Sequence, residues 1–242
     1  LSNAILLCAN TYTVTVTDIH SCSATASASV TSTPSLSTSV APVNVTCFGA
    51  ANGSAAVNIT NGVSPFSYSW STGVNSSTIN NLASGNYSVT VHDSNNCSSV
   101  STFSVTEPTT LAATTTSVNV TCFGGADGSA AVAVSGGVPS YTYQWCTATT
   151  TATANNLSAG NCVVTATDAN GCTISATTAI SQPSDIQFTT SVTDATGGNN
   201  GDVAVTTSGG IPPYSVQWSD GGNGTNLAAG TYSFTVTDAN GC

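Results

Sequence analysis

Residues 82–97 read LASGNYSVTVHDSNNC. Tyr87, Val89 and Val91 alternate with polar neighbours, so the middle of this stretch is a strand that buries one face. The letters HDSNNC then turn the chain. The same phrase returns as LSAGNCVVTATDANGC at 157–172, as LAAGTYSFTVTDANGC at 227–242 and, more loosely, as YTVTVTDIHSC at 12–22. In each copy an Asp side chain can fold back onto the backbone, and Asn170-Gly171 supplies the positive φ of a two-residue turn. Asp93, Asp168 and Asp238, with Gly171 and Gly241, are therefore read as turn residues.

The copies are evenly spaced. Cys22 to Cys97 is 75 residues, Cys97 to Cys172 is 75, and Cys172 to Cys242 is 70. A fixed period of this size marks a repeat array. Residues 36–110 laid over 111–185 match at 32 of 75 positions without a gap. The third copy needs two deletions: one removes the counterparts of Cys122 and Phe123, the other shortens the loop after Trp218. Pro34, Pro108 and Pro183 mark short linkers. The expected organisation is the C-terminal part of a repeat at 1–34, whole repeats at 35–108 and 109–183, and a repeat at 184–242 truncated at its last turn. The chain lacks a starting Met and begins inside a repeat, so it is expected to be a window of a longer protein. Strands near 11–34 and 231–242 would then be completed by further chain.

Within one repeat, strands are expected at VNVTC (43–47), SAAVNIT (54–60), FSYSW (66–70), STINNL (77–82), YSVTVHD (87–93) and SSVSTFSV (98–105). Turn signals separate them and helix signals are missing. This predicts an all-β chain, a tandem array of immunoglobulin-like or fibronectin III-like antiparallel β-sandwiches of about 75 residues each. Leu82, Gly85 and Tyr87 have the form of a tyrosine corner. Cys162 replaces the tyrosine in the second repeat and Tyr232 restores it in the third. Trp70, Trp145 and Trp218 are read as core residues.

The stretches CFGGADGSAAVAVSGGVPSYTYQW (122–145), NNLSAGN (155–161) and VTATDANGCT (164–173), with CFGAANGSAAV, SYSW, LASGNYSVTV and EPTTL in the preceding repeat, carry a family likeness. Together they resemble the SprB repeat of secreted gliding-motility adhesins in Bacteroidetes-type bacteria. The resemblance implies very large surface proteins, type IX secretion, roles in adhesion or gliding motility, and no catalytic residues.

Lys and Arg are absent and the net charge is −10. That argues against nucleic acid as a partner, since phosphates are neutralised by basic side chains. It equally argues against a polybasic membrane patch, and no apolar run approaches the roughly 18 residues of a membrane span. A Lys–Asn isopeptide crosslink cannot form. Low surface charge weakens repulsion between chains, so lateral self-association into fibres is permitted beside contacts with neighbouring repeats. Nine cysteines at repeat spacing, without CxxC, read as disulfides and hence an extracellular, cell-surface location.

Two disulfide registers compete, and the first, within each domain, is the one expected. Cys47–Cys97 and Cys122–Cys172 would each close a loop within one domain, provided that the strand after Trp70 returns by a direct hairpin. An extra strand there would carry the two cysteines to opposite ends. The rival, Cys22–Cys47 and Cys97–Cys122, would staple neighbouring domains. Cys146 and Cys162 are read as a private second bridge.

Other chemistry is weighed against plainer readings. The recurring Asp residues raise calcium, but each turn offers a single carboxylate, and an Asx turn explains it better. His92-Asp93 suggests a catalytic pair, but other copies have Thr at the His position, so no enzyme activity is expected. Phe66, Tyr68, Trp70, Tyr141, Tyr143 and Trp145 could stack on sugars, yet a core role is favoured. Nine N-x-S/T sequons, among them Asn44, Asn58 and Asn223, leave glycans open; no cofactor is expected. The function expected is a structural stalk or fibre. The alternative is a repeated module binding glycans or another surface ligand.

Overall fold

Most of the apolar–polar alternation becomes strand. The structure, a computed structural model, describes residues 10–31 and 35–242, so the linker at Pro34 and residues 1–9 lie outside the described residues. The chain divides into two compact units, Leu1–Glu107 and Pro108–Cys242.

In the first unit, β1 (Asn10–Thr17) and β2 (Ser23–Val30) form a hairpin. Six strands follow: β3 (Ser37–Val43), β4 (Gly53–Asn61), β5 (Ser67–Trp70), β6 (Thr78–Leu82), β7 (Gly85–His92) and β8 (Ser98–Val105). They make two antiparallel three-stranded sheets, β3-β4-β6 and β5-β7-β8. In immunoglobulin notation these are sheets A-B-E and C-F-G, so the fold is an immunoglobulin-like sandwich. Trp70, Ile79, Leu82, Val89, Val91 and Val105 are buried between the sheets. Thr38 on β3 shares hydroxyl hydrogen bonds with Ser99 (2.8 Å) and Ser101 (2.9 Å) on β8, tying the two sheets together along one side.

The second unit repeats this plan. β9 (Ala112–Val118), β10 (Gly128–Ser135), β11 (Thr142–Trp145), β12 (Thr153–Leu157), β13 (Gly160–Thr167) and β14 (Thr173–Ile180) form sheets β12-β10-β9 and β11-β13-β14. Beyond them, β15 (Gln187–Thr193) pairs with β16 (Asp202–Ser208), and β17 (Ser215–Trp218) with β18 (Phe234–Thr237).

The first strand differs from its expected place. It is Ser37–Val43, not 43–47. After Val43 the chain leaves β4 and crosses to the other sheet, where the Val45 amide donates to Thr106 O (3.0 Å) and Asn44 Oδ1 accepts from the Thr106 amide (3.0 Å). The alternation in VNVTC is real, since Val45 is buried, but it marks this crossing rather than sheet pairing. Pro42 lies within β3, where an edge strand tolerates its missing donor.

The chain after Trp70 also takes the longer route. It crosses between sheets, and β6 pairs antiparallel with β4, so β5 and β6 run the same way. Asn81 (φ 58°) is the extra residue of a bulge: Gly53 faces Leu82 while Ser54 faces Asn80. Asn156 and Asn226 repeat this positive φ, which accounts for an Asn before the Leu in all three copies. The bulge packs tightly. A Cβ on Gly53 would lie 2.9 Å from both Leu82 O and Val105 Cγ1, and one on Gly128 would lie 2.8 Å from both Leu157 O and Ile180 Cγ2.

This topology gives each sandwich a polarity. The chain enters beside the turn between the last two strands and leaves beside the loop after the first strand. These two cysteine-bearing segments therefore lie at opposite ends of an eight-residue strand, roughly 26 Å apart.

Candidate functional site

The turn at the entry end is built around one carboxylate. Asp168 Oδ1 accepts from the amides of Asn170 and Cys172 (both 2.9 Å), and Oδ2 accepts from Val138 (2.9 Å). Gly171 has φ 83° and donates to Asp168 O (3.1 Å). Asp93 and Asp238 are bound in the same way, to Asn95, Cys97 and Val63, and to Asn240, Cys242 and Ile211. All three carboxylates are buried. For Asp168 the Val138 amide is the largest influence. With the turn amides it outweighs burial and holds the carboxyl below its ordinary value. Asp238 follows the same pattern through Ile211. These oxygens face N–H donors, an environment suited to a structural carboxylate rather than to a cation. Among the described residues no cluster of three His, Cys, Asp or Glu side chains is arranged to hold a metal.

The exit-end loop has its own clasp. The Thr121 amide donates to Asp127 Oδ1 (3.0 Å) and the Thr121 hydroxyl to Oδ2. These bonds, the hydroxyl's foremost, lower the Asp127 pKa. The Gly124 amide donates to Gln182 Oε1 (2.9 Å), fixing the loop to the segment that leaves the sandwich. The preceding copy matches it: Thr46 donates to Asn52 Oδ1 (3.1 Å) and Gly49 to Glu107 Oε2 (2.6 Å). In the last copy the clasp survives as Thr196 to Asn200 (3.0 Å). The deletion there has removed the tip of the loop, with its cysteine, and left the base.

Within the second unit the two segments meet. Cys122 of one sandwich is disulfide-bonded to Cys242 of the next copy, with Cα atoms 5.6 Å apart. Asn240 Nδ2 donates to Thr121 O (2.9 Å) beside it. Phe123, Pro183 and Ile186 line the crevice at this joint. The expected pairing Cys122–Cys172 is thereby corrected, and so is Cys47–Cys97, because Cys97 is free. The reason is the direction of β6, which crosses to pair with β4 instead of returning beside β5 and so places each pair's members at opposite ends. The rival register fails as well: Cys22 is free, and Cys122 is bonded elsewhere. Cys47 and Cys172 are both disulfide-bonded. Cys146 and Cys162 are bonded to each other, with Cα atoms 5.4 Å apart.

The remaining residues singled out from the sequence lie as follows. Trp70 and Trp145 are buried, each donating its indole N–H to a backbone oxygen, Ser76 O (2.7 Å) and Thr151 O (2.9 Å). Trp218 is half-buried and packs on Phe234, ring centres 5.1 Å apart. Tyr87 and Tyr232 close their corners through hydroxyl bonds to Ala83 O (3.0 Å) and Ala228 O (3.1 Å). Phe66, Tyr68 and Tyr143 pack against the cores. Tyr141 is half-buried and bonded to Gly136 O (2.7 Å). His92 is exposed. Sequence reasoning weighed a staple between neighbouring domains but missed its register, the exit loop of one copy bonded to the entry turn of the next.

Fold and joint together define a class: tandem immunoglobulin-like sandwiches, with two consecutive copies in the second unit tied exit to entry by a disulfide. The SprB repeat family matches residues 39–75, 114–150 and 189–223. These three matched stretches are SprB repeats, a repeat type that occurs in cell-surface proteins of adhesin type. No curated protein matches the chain. Among solved structures, the amphioxus IgVJ-C2 molecule is similar at 13% identity and a TM-score of 0.26, over 62% of this chain and 100% of that one.

Proposed function

We propose that the chain is a structural repeat region of a large extracellular fibre or cell-surface adhesin stalk, used in adhesion or gliding. The observation that carries this reading is the covalent joint Cys122–Cys242. A disulfide from the exit of one domain to the entry of the next suits a chain that transmits tension. A ligand-binding module has no need to lock its neighbours. Among the described residues six cysteines are disulfide-bonded, which suits an oxidising, extracellular setting. Phe66, Tyr68, Trp70, Tyr143 and Trp145, which would serve a sugar platform, are instead packed into or against the cores.

Electron microscopy of the native fibre tests the proposal. Strands of seven to nine residues, at about 3.3 Å each, predict beads on the order of 35–45 Å apart along the fibre. Saturable binding of the purified chain on a glycan array, together with compact particles, would favour the binding module instead.

A further inference from the structure

Cys97 stands in the same turn as Cys242. Asp93 Oδ1 accepts from the Cys97 amide at 2.9 Å, and Asp238 Oδ1 from the Cys242 amide at 3.0 Å. Each Asp amide donates back to its cysteine carbonyl, at 3.0 and 3.1 Å. The two cysteines are thus presented alike at the entry ends of their sandwiches, yet Cys242 is bonded and Cys97 is free. We infer that Cys97 is a docking thiol, which takes a disulfide from the exit-loop cysteine of another copy of this repeat placed ahead of it.

A second feature points to the same occupant. The joint at Cys242 is flanked by the amide bond from Asn240 to Thr121 O. The residue at that turn position beside Cys97 is Asn95, so this copy carries both the thiol and the amide donor. The turn of Cys22 has His20 there and lacks the amide. The matching loop is Thr-Cys-Phe-Gly, present at 46–49 and 121–124 and lost from the last copy, where Gly197 follows Thr196. A copy with that loop can therefore donate a cysteine, and the last copy cannot. Cys47 of the same sandwich cannot serve Cys97, because the length of β8 separates them.

Bond formation needs a two-electron oxidant, and a small disulfide such as oxidised glutathione suffices. One cysteine thiolate attacks it and releases one glutathione thiol. The second cysteine thiolate then displaces the other glutathione from the mixed disulfide. Two cysteine protons and two electrons end on two glutathione molecules.

The inference rests on the head-to-tail reading of the array, not on its being a stalk, and the test separates the two. Residues 1–34 are replaced by a copy of residues 109–183, so that a complete repeat precedes Ser35. The chain is refolded in glutathione buffer, alkylated with iodoacetamide, digested with pepsin and mapped by mass spectrometry. The expected result is loss of Cys97 alkylation and a peptide joining Cys97 to the added copy's loop cysteine, restored to free Cys97 when that cysteine is changed to Ser. Cys97 that stays alkylated while Cys122–Cys242 forms in the same molecules overturns the inference alone. A Cys47–Cys97 peptide also overturns it. Failure of Cys122–Cys242 to form overturns the joint and the head-to-tail reading with it.

Discussion

The sandwiches β3–β8 and β9–β14 share one backbone plan and hold the same corner in two ways. In the first, Tyr87 stacks on Phe103 (5.7 Å between ring centres) and Trp70 meets Phe103 edge-on (5.8 Å). In the second, the Tyr87 position is Cys162, the Phe103 position is Thr178, and Cys162 is bridged to Cys146. The backbone around the bridge hardly differs: the Ser71 amide donates to Ser88 O at 2.9 Å, and the Cys146 amide to Val163 O at 3.0 Å. Two aromatic rings and one short covalent loop are therefore alternative fillings of a single frame. What both copies keep is the tryptophan, the bulge and the Asp turn.

The largest effect should come from what the copies share. Trp70→Ala and Trp145→Ala each remove a buried ring and should cost about 3–5 kcal/mol in their own sandwich. Urea unfolding followed by hydrogen–deuterium exchange resolves the two copies. A much smaller loss for Trp145→Ala would mean that the bridge carries that core without the indole, breaking the comparison. Next comes the bridge itself. Replacing Cys146 and Cys162 by Ser opens a loop of 16 residues and should cost about 3 kcal/mol in the chain-entropy model. The reciprocal graft, Ser71→Cys with Tyr87→Cys, should form a disulfide in the first sandwich, read as a mass loss of two hydrogen atoms on oxidation. Failure to close would show that the frames differ more than their hydrogen bonds suggest. Smaller still is Tyr87→Phe, which keeps the stacking and loses only the hydroxyl bond to Ala83 O, at about 1 kcal/mol.

What was legible in the sequence follows the same division. Strands β4, β5, β7 and β8 and the Asp turn show in the letters because apolar alternation and turn chemistry are local. The edge strand β3 did not. STSVAPV is half-buried at best and rich in Ser, so its identity comes from pairing with β4, while the alternating VNVTC beside it is a crossing between sheets. The private bridge could be seen because Cys146 and Cys162 replace Ser71 and Tyr87 together. The joint could not be read within one repeat. Its two cysteines are 120 residues apart and belong to different copies. The direction of β6, a non-local matter, decides which cysteines share an end.

The corners differ at the exit end of the sandwich, whereas the Asp turns sit at the entry end and are alike. Acid should therefore act on both copies in the same way. For Asp93, burial alone would raise the pKa, but the amides of Cys97, Val63 and Asn95 outweigh it and hold the carboxyl below its ordinary value. For Asp168, the Val138 amide leads and burial opposes it, with the same net direction. A folded-state pKa below the unfolded one means that the carboxylate's contribution is complete above the unfolded value, about 3.9, and is lost as pH falls through the folded one. Melting temperature should thus be flat near neutrality and fall below about pH 4 in both copies, with parallel acid limbs. Asp168→Asn keeps an acceptor toward Asn170 and Cys172 but turns an NH2 group toward the Val138 amide. That variant should be less stable at neutral pH and lose much of the acid limb in its own sandwich, leaving the other's unchanged. An acid limb that persists undiminished in Asp168→Asn would place the sensitivity elsewhere and break the equivalence of the two turns.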